Sequence, residues 1–107
     1  MKNIGQLMKQ AQAMQEKMAE VQARLEAVEL VGMSGGGLIA ATLNGKGELK
    51  KIKIDKSLLD PEEGEVLEDL ILAAFNDARA KVAAHAEEEM QKLTGGLPLP
   101  PGLKLPF

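Results

Sequence analysis

The chain has no cysteine, no tryptophan and no tyrosine, and in 107 residues it has only two phenylalanines and one histidine. Each absence removes a class of chemistry. Without cysteine there is no disulfide framework, no thiolate metal site and no cysteine nucleophile, and such usage fits a reducing cytoplasm. His85, with no thiol or second imidazole to join it, is a poor metal ligand and reads as a structural residue of an Ala-rich helix. No apolar run reaches the ~18 residues of a membrane span, and the opening Met1-Lys2-Asn3-Ile4-Gly5-Gln6 lacks a signal-peptide apolar core. The expectation is therefore a cytoplasmic protein with no membrane partner. With so few aromatic rings, the core has to come from Leu, Ile, Val, Met and Ala, and the six methionines give it adaptable packing. An apolar fraction of 45% predicts a folded chain, and the length predicts one domain near the lower end of what builds an adequate core alone.

Catalytic patterns are equally scarce. Ser34 and Ser57 have no neighbouring base and no strand-turn-helix elbow. Glu87, Glu88 and Glu89 are consecutive, so they spread around a helix and read as a solvated run, not a converging carboxylate pair. Gly35, Gly36 and Gly37 open a strand, whereas a phosphate-binding glycine loop opens a helix and carries Lys-Ser/Thr or a GxGxxG frame. The sequence therefore points to no enzyme, no cofactor, no metal and no small-molecule substrate.

What the chain does contain is one good hairpin signal between two helical patterns. Asn44-Gly45-Lys46-Gly47 supplies a type I turn followed by a glycine free to take positive φ, closing two strands with a bulge. Beyond it Ile52 and Ile54 point one way while Lys51, Lys53 and Asp55 point the other, giving one apolar and one basic face. The three glycines before Leu38 suit a tight reversal, so a preceding strand from Val28 to Met33 can pair back onto the hairpin. Upstream, Ile4, Leu7, Ala11, Met14, Met18, Val21, Leu25 and Val28 recur at alternating steps of three and four, which predicts one helix over about residues 4 to 27 with coiled-coil character. At ~1.5 Å per residue it is ~36 Å long, more than a compact chain of this size is wide, so part of it must overhang. Downstream, Asp60-Pro61-Glu62-Glu63 is a helix start with a capping aspartate and a proline in the first turn. Helical spacing then runs from Val66 to Leu93, and Gly95-Gly96 stops it. The first half of this second helix is broadly apolar and the rest thin, so the first half is expected on the sheet and the rest projecting. Residues 1–93 make the domain. Residues 94–107 form a Pro/Gly-rich flexible tail, although its four leucines and terminal Phe107 exceed what a passive linker needs.

The formal charge of −3 is unevenly spread. Residues 1–59 hold nine Lys/Arg and six Asp/Glu, whereas residues 60–93 hold three and ten. On the first helix Lys2, Lys9, Lys17 and Arg24 fall within an arc of ~80° at 100° per residue, among Gln6, Gln10, Gln12, Gln15 and Gln22, with Glu20 interrupting and Glu16 beside them. The stripe fits a phosphate-facing surface, but taken alone it reads first as the solvated face of a surface helix. Lys46, Lys50, Lys51 and Lys53 of the hairpin form a competing basic patch, only partly offset by Glu48 and Asp55.

Taken in order, the segments Met8-Lys9-Gln10-Ala11-Gln12-Ala13-Met14-Gln15, Gly35-Gly36-Gly37-Leu38, Leu43-Asn44-Gly45-Lys46-Gly47-Glu48, Ile52-Lys53-Ile54-Asp55, Leu58-Leu59-Asp60-Pro61-Glu62, Leu67-Glu68-Asp69-Leu70-Ile71 and Ala73-Ala74-Phe75-Asn76-Asp77-Ala78 resemble the YbaB/EbfC family of small bacterial nucleoid-associated proteins. The resemblance covers nearly the whole chain. It implies an α+β fold, namely an α-β-β-β-α subunit with a three-stranded antiparallel sheet and two long helices. It also implies a tweezer-like homodimer that binds double-stranded DNA in the nucleoid through projecting helices. On that basis Lys2, Lys9, Lys17 and Arg24, assisted by Arg79 and Lys81 of the second helix, are the expected DNA contacts, with little sequence preference. The alternative is a protein-interaction module that grips a partner through its projecting helices and apolar tail.

Overall fold

The computed structural model describes residues 3–94. Lys2 and residues 95–107 lie outside them, and with these go one expected DNA contact and nearly all of the expected tail. The element order is helix α1 (Ile4–Ala27), strands β1 (Leu30–Ser34), β2 (Ile39–Leu43) and β3 (Leu49–Ile54), two short 3-10 turns, and helix α2 (Gly64–Thr94). The sheet is antiparallel throughout, in the order β1-β2-β3. This is the expected α-β-β-β-α subunit.

Local chemistry explains each junction. Gly35, Gly36 and Gly37 all take positive φ, which only glycine adopts without steric cost, and the Gly37 N–H donates to Ser34 O at 3.1 Å to close the reversal between β1 and β2. In the β2–β3 turn the Asn44 side chain acts as a template. Its Oδ1 accepts from the N–H groups of Lys46 and Glu48, both at 3.0 Å, and its Nδ2 donates to Glu48 Oε1 at 2.7 Å. Gly47 takes φ 84°, and pairing shifts between Thr42/Leu43 and their partners Lys51/Leu49, which is the anticipated bulge. Asp55 and Asp60 cap the two 3-10 turns through Ser57 N–H and Glu62 N–H.

The first half of α2 lies on one sheet face. Ile39, Ala41, Leu58 and Ala74 form the buried core, with Leu67, Leu70 and Ile71 packed against it. Gly32 allows the approach: a Cβ there would stand 2.2 Å from Ala78 N and 2.3 Å from Ala74 O. Helix α1 is attached only by its last turns. Val21 and Leu25 are buried, and Gly45 N–H donates to Leu25 O at 2.7 Å. Upstream of Met18 every described seam residue is exposed, so the heptad pattern marks the helix correctly while most of its apolar stripe has no partner among the described residues. The molecule is accordingly elongated, 72 × 22 × 18 Å with a radius of gyration of 19.5 Å, against ~13 Å for a compact chain of this length.

Candidate nucleic-acid interface

The overhanging part of α1 carries Lys9 and Lys17, both exposed and neither in an ion pair among the described residues. Arg24 belongs to the docked end and is engaged differently. Its Nε and Nη2 donate to Glu89 Oε1 and Oε2 at 3.3 and 3.1 Å, the two-pronged arrangement that guanidinium and carboxylate favour. Glu89 is 3% exposed and Arg24 52%. The expectation that Glu89 belongs to a solvated run is thus corrected: it is the buried anchor that ties α1 to α2. The hydrogen bonds from Arg24 hold its carboxyl below the usual range and raise the Arg24 guanidinium in turn. His85 Nε2 stands 3.8 Å from Glu89 Oε1 and is buried with no hydrogen-bond partner among the described residues.

The two cations assigned to α2 part company. Arg79 and Lys81 are two residues apart, hence ~200° around the helix, and cannot face one duplex together. Arg79 is exposed. Lys81 Nζ donates to Val31 O at 2.6 Å and lies 3.6 Å from Asp77 Oδ2, which accepts from the Met33 N–H at 3.0 Å. Together Asp77 and Lys81 satisfy two backbone groups on the outer side of β1, so the side chain expected to reach DNA instead seals an edge strand.

Lys92 is the cation that sequence reasoning missed. It shares a shallow recess with Lys17, Glu20, Val21, Arg24 and Leu93, which puts three cations against one carboxylate there, with Glu89 beneath. Its place in a helix's last turn reads as dipole compensation, and only the antiparallel crossing of the two helices brings it to Lys17. On the hairpin, Lys46 pairs with Glu26 at 2.9 Å and Lys50 with Glu48 at 3.8 Å. Lys51 and Lys53 are exposed opposite Thr42 and Ala40, on the face away from Ile52.

A second surface is apolar. Ala41, Leu49, Ile52, Ile71, Leu72 and Phe75 line an open cleft beside β3, with Glu68 at its rim. Leu49 is 52% and Leu72 61% exposed, and Phe75 is half-buried here. Among the described residues β3 pairs only with β2, which leaves its other edge open there.

Among the described residues no group of three or more His, Cys, Asp or Glu could hold a metal ion, and no helix is long and apolar enough to cross a membrane. The sequence model of the YbaB/EbfC DNA-binding family matches residues 1–97. Nucleoid-associated proteins of Paramagnetospirillum magneticum and Rhodospirillum centenum are 67% and 64% identical to the chain, each over the full length of both partners. The crystal structure of an uncharacterized protein of Helicobacter pylori superposes with a TM-score of 0.76 at 26% identity, over 86% of this chain and 97% of that one.

Proposed function

The chain belongs to the YbaB/EbfC DNA-binding family, and from that premise we propose that it binds duplex DNA in the nucleoid as a homodimer with little sequence preference, influencing nucleoid organisation and gene expression. Family and relatives are described by association with DNA and the nucleoid, and not by a reaction. The observation that carries the proposal is unpaired positive charge on an arm. Lys9 and Lys17 project with α1 away from the body, Lys92 joins them from α2, and Lys2 precedes them in the sequence. Arg24 contributes its exposed edge while its carboxylate bonds fix the arm. Arg79 is a lesser contact on the other helix, and Lys81 is occupied at the β1 edge.

Dimerisation follows from the other surface. An open β3 edge continuous with an apolar cleft leaves both backbone hydrogen-bonding groups and apolar area without partners, and a second copy satisfies both. Two-fold pairing then presents the arm twice. Residues 1–93 act as the single domain that binds.

Net charge does not oppose this, because screening limits each interaction to ~8 Å at physiological ionic strength and Glu65, Glu68, Asp69 and Asp77 lie in the first half of α2, away from Lys92. Counting Lys9, Lys17 and Lys92 alone, three phosphate contacts per protomer, six per dimer, give a log-log salt slope of about −5, which Glu16 and Glu20 flatten. The test is duplex binding across a salt series. Affinity falling steeply with salt and alike for unrelated sequences supports the reading. No duplex binding, or duplex binding that ignores salt, contradicts it and leaves the arm as a surface for a protein partner.

A further inference from the structure

Helix α1 displays an apolar stripe that nothing among the described residues covers. Ile4, Leu7, Met8 and Met14 are 63%, 61%, 62% and 46% exposed, whereas Val21 and Leu25, on the same seam, are buried. Charge is almost absent from the bare part. Residues 4–15 hold one ionisable side chain, Lys9, and at 100° per residue it stands about 180° from the mean direction of Ile4, Leu7, Ala11 and Met14. The amides Gln10 and Gln15 border the stripe, about 80° and 60° from that direction on its two sides. A helix that meets its own copy sets like residues side by side, and here that brings no charges together.

The body of the molecule sets the direction of such a pairing. It covers the seam itself: Lys92 and Leu93 of α2 adjoin Val21, and the Gly45 N–H of the β2–β3 turn donates to Leu25 O at 2.7 Å. Packed helices stand about 8–10 Å apart, so two copies joined in parallel through this seam would drive their bodies into one space. An antiparallel copy avoids the clash. With Ile4 opposite Met14 of the second copy and Leu7 opposite its Ala11, and the reverse pairs beyond, the a and d positions of the heptad alternate across the contact in four layers over ~15 Å. Ile4 of each copy then stands seven residues, or ~10 Å, short of the other's Val21, and the two bodies lie at opposite ends.

We propose that the exposed part of α1 pairs antiparallel with α1 of a second copy, burying Ile4, Leu7, Ala11 and Met14. The occupant is a second copy because the stripe matches itself in this register and meets itself without charge repulsion, while its own body blocks the parallel alternative. The contact is two-fold and uses a surface separate from the β3 edge, so the two contacts together join dimer to dimer. Lys9 stays on the outer side of the paired arms. Arm pairing goes beyond the DNA reading and is independent of it.

Sedimentation without DNA tests it on the full chain and on a full-length variant with Leu7→Glu and Met14→Glu. Both positions are exposed, so the variant should keep its helical signal. As concentration rises, the unmodified chain should form larger species than the variant does, and the variant's own size reports the β3 contact separately. Equal masses at every concentration overturn the proposal and leave the stripe to a different protein or to the chain itself. So does association that fades as salt rises, which would mean charge pairing. Because the chain has no cysteine, direction can be read by cross-linking. Full chains carrying L7C, mixed with full chains carrying A11C, should form mixed disulfide pairs severalfold more often than either forms pairs with itself. Pairs of A11C chains in excess would mean parallel arms, and no disulfide in the mixture would mean that the arms do not meet; either result overturns the proposal.

Discussion

At the scale of single residues, the features fixed by near neighbours were readable and those fixed by distant partners were not. The Asn44 turn was legible because the bonds that shape it, between Asn44 and Lys46 and Glu48, close within four residues and positive φ at Gly47 needs glycine. Glu89 was misread, and the bond of Lys81 at the β1 edge was out of reach, because their partners Arg24 and Val31 lie 65 and 50 residues away, beyond any periodicity. Gly32 offers a direct check. Its Cβ would strike the α2 backbone at Ala74 and Ala78, and a helix backbone cannot step aside as a flexible side chain does. Gly32→Ala should therefore destabilise the fold by about 1–3 kcal/mol or more, read from chemical denaturation. Glu89 supplies a pH prediction. Its carboxyl is held below the ordinary range by Arg24, so its stabilising effect is complete above the unfolded value of ~4.3 and is lost as pH falls through the lower folded value. Exchange of α1 amides near Leu25 should accelerate as pH drops below about 4 after correction for intrinsic rates, and Glu89→Gln should remove that acid dependence.

Among the elements, the heptad spacing located α1 to the residue, because periodicity reports which side of a helix is apolar. It could not report what covers that side, and burial stops at Val21. The alternation in β3 likewise separated Ile52 from Lys51 and Lys53 but could not show that Ile52 faces an open cleft. The contrast between the two sheet edges yields a prediction. β1 is closed by Asp77 and Lys81, whereas β3 is open beside Leu49, Leu72 and Phe75. Leu72→Glu places a charge in the cleft at an exposed position, so each protomer should keep its helical signal while sedimentation shifts from dimer to monomer. Phe75→Ala should weaken the dimer more than the protomer, because the ring is only half-buried without a second copy. A folded wild-type monomer at low micromolar concentration would reject the pairing itself. Lys81→Ala should expose Val31 O and lower stability slightly, leaving DNA affinity unchanged.

For the molecule as a whole, a 72 Å length and a basic first half against an acidic second half describe an arm set on a body. The basic stripe was legible in the sequence. Its membership was not, because Arg24 turned inward to Glu89 and Lys92 entered from the other helix. Charge reversal separates the arm from the sheet as the DNA-binding surface. One variant carries Lys9→Glu, Lys17→Glu and Lys92→Glu, the other Lys51→Glu and Lys53→Glu, and both are checked for an intact dimer. Duplex affinity and its salt slope are then measured beside the unmodified protein. The arm variant should lose most of its affinity and its salt dependence while the sheet variant keeps both. Unchanged binding by the arm variant together with lost binding by the sheet variant would contradict the account.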